Sequence, residues 1–70
     1  MARFYFNVGN GKMIVLKDDT GDCHADSAEA MAQAAIIARE LAEDDHQWRG
    51  HSIVVLDEHG MEIGRVLIGH

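Results

Sequence analysis

The sequence predicts an α+β domain of order ββαββ, a four-stranded antiparallel sheet with one helix packed on one face. Three observations predict it. The segments "RFYFNV", "MIVL", "SIVVL" and "MEIGRVLI" are short and rich in β-branched and aromatic residues. Turn signals, Asn10-Gly11 and Asp57-Glu58-His59-Gly60, separate the first two segments and the last two. Between these halves runs Ala28 to Asp45, without Gly or Pro and rich in Ala, Leu and Glu, which have high helix propensity.

Taken in order, Phe4, Phe6 and Val8 alternate with Arg3, Tyr5 and Asn7 in the pattern of a half-buried strand. Asn10-Gly11 follows, suited to a type I′ turn because both central residues there need positive φ. With these two as the whole loop, Val8 stands opposite Met13 and Phe6 opposite Val15. Ile14 and Leu16 then lie beside Tyr5 on the other face. "KDDTGDCHAD", residues 17–26, is polar, holds Gly21 and reads as a solvated loop. Asp26 with Glu29 three residues later suits a capping box, with Ser27 the alternative cap.

On the helix, Met31, Ala34, Ala35, Ala38, Leu41 and Ala42 form one stripe at about 100° per residue. The stripe is narrow and rich in Ala, so the helix axis can lie close to the sheet. After "HQWRG", where Trp48 serves as a lid over the sheet edge, "SIVVL" is the third strand. A type I turn with Asp57 first and Gly60 fourth leads into the last strand, where Gly64 marks a bulge.

Seventy residues make a single domain, 1–70. A chain of this size buries only about 60% of the surface its unfolded form exposes, so small domains commonly add disulfides, a metal or self-association. One cysteine, Cys23, rules out an internal disulfide and fits a reducing, cytoplasmic setting. Six Lys and Arg against twelve Asp and Glu give a net charge of -6. The cations stand singly along the chain, so neither nucleic acid nor an anionic membrane is an expected partner.

The strands "MIVL" and "SIVVL" are apolar on both faces, because successive residues of a strand point to opposite sides. One helix covers one face. An antiparallel sheet open to water has polar residues on its outer side, and here Val54 and Leu56 stand in those positions. An apolar outer face on so small a chain predicts an interaction surface made of Tyr5, Val54, Leu56, Ile14 and Leu16. Ile36 falls opposite the helical stripe, among Glu29, Gln33, Glu40 and Glu43, and with Ile37 on its flank can extend a contact patch. The expected partner is a second copy, because a twofold interface buries the same patch on both chains.

The segments "RFYFNV", "DDTGD", "DSAEAMAQA" and "VVLDEHGMEIGRV" resemble a family of short alphaproteobacterial proteins classed as a domain of unknown function. The resemblance spans nearly the whole chain and implies the same fold, with no catalytic residues to carry over. Members of that family tend to have polar residues where this chain has Val54 and Leu56, and this chain's first hairpin loop is one residue longer. In "DDTGDCHADSAEAMAQAAIIARELA" the chain is also similar to the ββα part of HicB-type antitoxins, without their DNA-binding segment. That similarity implies, as the alternative, a regulatory module that binds a small partner protein.

Nothing in the sequence forms a catalytic, cofactor or metal signature. His46 and His51 flank Trp48 at a spacing that approaches a zinc pair, but the further ligands that tetrahedral zinc needs are absent from the pattern. Cys23 and His24 are adjacent, whereas nucleophile–base pairs are usually assembled from distant segments. Asp18, Asp19 and Asp22 lack the order of a calcium loop, and "GNGK" lacks the Lys-Ser/Thr of a phosphate cradle. The sequence therefore predicts a non-enzymatic protein without a cofactor.

Overall fold

The computed structural model describes residues 2–69. Their order is β1 (Ala2–Gly9), β2 (Ile14–Leu16), β3 (Asp22–His24), α1 (Ser27–Asp44), a short 3-10 turn (His46–Trp48), β4 (Ser52–Leu56) and β5 (Glu62–Leu67). Among the described residues five strands form one antiparallel sheet in the order β2-β1-β4-β5, with β3 pairing on β1. The α+β class and the ββαββ-like order are as predicted. The count differs by one strand: Asp22–His24, read as loop from sequence, pairs with Ala2 to Phe4 of β1. β2 pairs with the other end of the same edge, so the two short strands share one side of β1.

The core follows the alternation. Phe4, Val8, Ile53 and Val55 are buried on one face of the sheet beneath α1, with Phe6, Ile63 and Val66 packed against them. Val8 faces Ile53 and Phe6 faces Val55 across β1 and β4, so large side chains meet in cross-strand pairs. The helix brings small ones: Ala30, Ala34 and Ala38 are buried, and Met31, Ile37, Leu41 and Ala42 flank them. The stripe is rotated from the one predicted, with Ala30 in it and Ala35 exposed. The Asp26 carboxylate accepts from Glu29 N at 2.9 Å, the predicted cap. Glu29 reaches back to Ala25 N at 3.2 Å rather than to the cap residue itself.

The first hairpin departs from the two-residue turn. Val8 pairs with Leu16 and Gly9 with Ile14, with a register shift between them. Asn10 does not take positive φ; only glycines do so among the described residues. Its side chain instead accepts from Lys12 N and Met13 N at 3.0 and 3.1 Å, holding a four-residue loop. The second hairpin is as predicted: Gly60 N donates to Asp57 O at 3.0 Å, and the Asp57 carboxylate accepts from His59 N and Met61 N. Those backbone donors, the one from Met61 foremost, hold the Asp57 carboxyl below its usual range. A bulge follows, since Val55 pairs with Gly64 but Leu56 with Glu62. Gly64 makes room there for Met31, whose Cε and Sδ come within 2.9 Å of where a Cβ would stand.

Candidate interaction face

The face of the sheet away from α1 is built in rows by strand register. Tyr5, Leu56 and Glu62 form one row, Asn7, Val54 and Arg65 the next, and Gly9, Ser52 and Leu67 the third. Tyr5, Val54 and Leu56, assigned to the outer face from sequence, are all on it and half-buried. Arg65 spans to Glu62 through two parallel bonds, Nη2 to Oε1 at 2.8 Å and Nε to Oε2 at 3.1 Å. The pair holds the Glu62 carboxyl below its usual range, chiefly through the Arg65 hydrogen bond, and raises Arg65. The face is thus an apolar strip beside a fixed ion pair.

The first hairpin bends over this strip. Gly11, Lys12, Met13 and Ile14 line one concavity with Val54 and Leu56, of about 300 Å³. The bend begins at the register shift beside Gly9, where a Cβ would stand 3.0 Å from Met13 O. Ile14 therefore joins the outer face as predicted. Leu16 stands opposite Val8, whose side chain is buried beneath the helix, so Ile14 and Leu16, expected on one face, part to opposite faces. Ile36 lies on α1, the other layer of the molecule, and is 54% exposed. Ile37 beside it is half-buried against the core.

A second hollow of about 430 Å³ adjoins the first, lined by Tyr5, Asn7, Lys17, Asp18, Leu56 and His59 among others. Asn7 and Asp18 anchor it. Asp18 N donates to Asn7 Oδ1 at 2.8 Å, and the Asp18 carboxylate accepts from Phe6 N, Thr20 N and Gly21 N at 3.2, 3.1 and 2.9 Å. Partial burial alone would raise the Asp18 carboxyl, but these donors and Arg3 outweigh it and hold it below its usual range. The acidic loop is therefore an organised link between β2 and β3 rather than a merely solvated run. Sequence reasoning passed over it because its partners are backbone groups.

The remaining candidates separate in space. Cys23 and His24 are successive residues of β3 and point to opposite faces. Cys23 is exposed, while the His24 ring lies edge-on to Phe6 with centroids 5.8 Å apart and Nδ1 3.1 Å from Glu29 Oε1. Trp48 packs against the core and meets His51 edge-on at 5.7 Å. His46 is exposed, and His70 lies outside the described residues. Among the described residues no three His, Cys, Asp or Glu side chains converge as a metal set. No described helix is long and apolar enough to cross a membrane.

No curated protein and no solved structure matches the chain. A family model does match, over residues 3–69, and it is described as a domain of unknown function, DUF6894. Because that match spans nearly the whole sequence, from the first strand through the last, the chain belongs to this family.

Proposed function

We propose that the chain is a non-enzymatic, self-associating module of the cytoplasm, a homodimer in which the outer faces of two copies pack together. One observation carries this reading: Tyr5, Val54, Leu56 and Ile14 share the face that the helix leaves uncovered, beside exposed Met13. Such a patch is uncommon on a small monomer and marks association. The charge distribution supports a second copy as the occupant. Asp26, Glu29, Glu40, Glu43, Asp44 and Asp45 lie on and beside α1 with Arg39 as their only cation, whereas the other five cations and six acids nearly balance. Packing outer face to outer face keeps the two acidic helices apart, so like-charge repulsion is least in this arrangement.

Sedimentation equilibrium from low to high micromolar concentration tests this. A species of twice the monomer mass that dissociates on dilution supports the reading, and the monomer mass throughout would overturn it.

A second reading, in which the same face takes up a small partner protein as HicB-type antitoxins do, is favoured by the open edges of β2 and β5. The net charge of -6 suits a basic partner. Co-expression with a small basic reading frame adjoining this one, followed by co-purification, separates the two readings.

A further inference from the structure

We infer that Asn10 and Gly11 form a site of spontaneous covalent modification, at which the side-chain amide of Asn10 is lost through a succinimide ring and a carboxylate takes its place. The tip of the first hairpin then gains a negative charge and, in one product, a longer backbone.

The reaction needs only water. The Gly11 backbone nitrogen gives its proton to solvent hydroxide and attacks Asn10 Cγ, forming a C–N bond and placing negative charge on Oδ1. The intermediate collapses as the Cγ–Nδ2 bond breaks, and the nitrogen leaves as ammonia with a proton taken from water. Water then opens the five-membered ring at either carbonyl, giving aspartate at position 10 or its isoaspartyl isomer. No oxidant or reductant takes part.

The hairpin loop supplies the parts. Asn10 Oδ1 accepts the backbone N–H of Lys12 at 3.0 Å and of Met13 at 3.1 Å. Those two donors face the oxygen on which charge develops, the arrangement that stabilises tetrahedral intermediates of acyl transfer. The attacking group is unencumbered: among the described residues the Gly11 N–H has no hydrogen-bond partner, and Asn10 and Gly11 are both exposed. Gly11 has no side chain, and no atom lies within 4 Å of where a Cβ would stand. Solvent base and water therefore reach the reacting atoms.

Asn7, the other asparagine of the chain, is the built-in contrast. It is 3% exposed, its Oδ1 is held by Asp18 N, and the β-branched Val8 follows it within β1. Neither water nor a free nitrogen is at hand there.

The two products act differently on the loop. Aspartate fits it, since the second hairpin already uses Asp57 to accept from His59 N and Met61 N. Isoaspartate routes the main chain through Cβ, adding one atom between residues 10 and 11, and so displaces the segment from Gly11 to Ile14 that lines the concavity with Val54 and Leu56. On the self-association reading above, the isoaspartyl form dimerises more weakly.

Peptide mass spectrometry of the folded protein, incubated at mildly alkaline pH and scored for isoaspartate, tests the site. Asn10 should convert at a rate that rises with pH, at least as fast as in the guanidinium-unfolded chain and several-fold faster than Asn7. Asn10→Gln, which would have to close a six-membered ring, should abolish conversion at that position. A folded protein that converts Asn10 several-fold more slowly than the unfolded chain would show that the loop protects it, and the inference is overturned. Equal rates at Asn7 and Asn10 overturn it as well. The isoaspartyl form, separated by charge, is then sedimented beside fresh protein. Dissociation of the modified dimer at higher concentration supports the effect on association, and equal dissociation overturns that effect while the modification stands. A fresh protein that is monomeric throughout overturns the self-association reading and leaves the chemistry at Asn10 untouched.

Discussion

The Asp18 carboxylate accepts the backbone N–H of Phe6 at 3.2 Å, so a side chain stands where a neighbouring strand would otherwise supply a carbonyl. On that side of β1, β3 pairs as far as Phe4 and β2 begins at Val8. Between them the same carboxylate takes up the turn donors Thr20 and Gly21, while Asn7 fixes Asp18 from the sheet side. The link holds two short strands in place that could not persist alone, since isolated strand pairs are at best marginally stable in water.

Replacing Asp18 by Ala should therefore destabilise the domain by about 1–3 kcal/mol, the usual cost of leaving partly buried donors unpaired. Urea unfolding with an unchanged m-value measures it. A loss below a few tenths of a kcal/mol would show that water serves these donors equally well.

Acid gives a second handle on the same residue. The folded-state carboxyl lies below its ordinary value of 3.8, so its contribution is complete above that value and is lost as pH falls through the lower native one. The stability gap between the natural protein and Asp18→Asn should be full at neutral pH and narrow below pH 3.8. A gap independent of pH would mean that the charge of Asp18 plays no part in the link.

Two glycines should respond differently to alanine. Gly21 has φ +73°, and its Cβ would stand 2.7 Å from Phe4 O, a backbone atom. Gly64 has no positive φ, and its Cβ would meet only the flexible end of Met31. Gly21→Ala should cost more than about 1 kcal/mol because strain and clash add. Gly64→Ala should stay within about 1 kcal/mol of neutral, since Met31 can move and the unfolded chain loses freedom. Equal melting temperatures for the two variants would contradict the backbone geometry at Gly21.

Most of this fold was legible because its long elements carry their own period. β1, β4 and α1 state their buried faces in residue spacing, and Asp57-Glu58-His59-Gly60 states its turn in residue type. β3 was not legible, since Asp22-Cys23-His24 has no apolar alternation and is a strand only because β1 offers an edge. The register of the first hairpin was lost for a related reason: Asn10 can close a loop with its side chain as readily as with a left-handed backbone. On the candidate face, Tyr5, Val54 and Leu56 followed from alternation along well-paired strands. Leu16 did not, because a three-residue strand beside a bulge no longer obeys the parity of its neighbour.

The C-terminal turn of α1 offers a stabilising change. Glu43, Asp44 and Asp45 crowd an end where the helix dipole is negative, and no basic residue stands in that turn. Asp44 is exposed, so Asp44→Arg should raise stability by about 0.3–1 kcal/mol at low salt, and less at high salt. Melting curves at two ionic strengths would show it. An increase that does not shrink with salt would point to a cause other than the dipole.

Replacing Val54 with Thr and Leu56 with Lys together probes the outer face. Both side chains point away from the helix, so the buried contacts of Ile53 and Val55 with the core should persist. On an exposed face such a change stays within about 0.5 kcal/mol. At an interface, the introduced ammonium group would lose its hydration without a partner, and the dimer should dissociate. Because a chain of this size buries so little surface alone, dissociation can lower the melting temperature and make it depend on concentration. Circular dichroism and sedimentation, run on the same samples, separate the outcomes. Lost mass with a retained far-ultraviolet spectrum, or a melting temperature that falls on dilution, places Val54 and Leu56 between copies. An unchanged dimer mass with unchanged melting would instead show that the copies meet elsewhere, and the assignment of this face would be wrong.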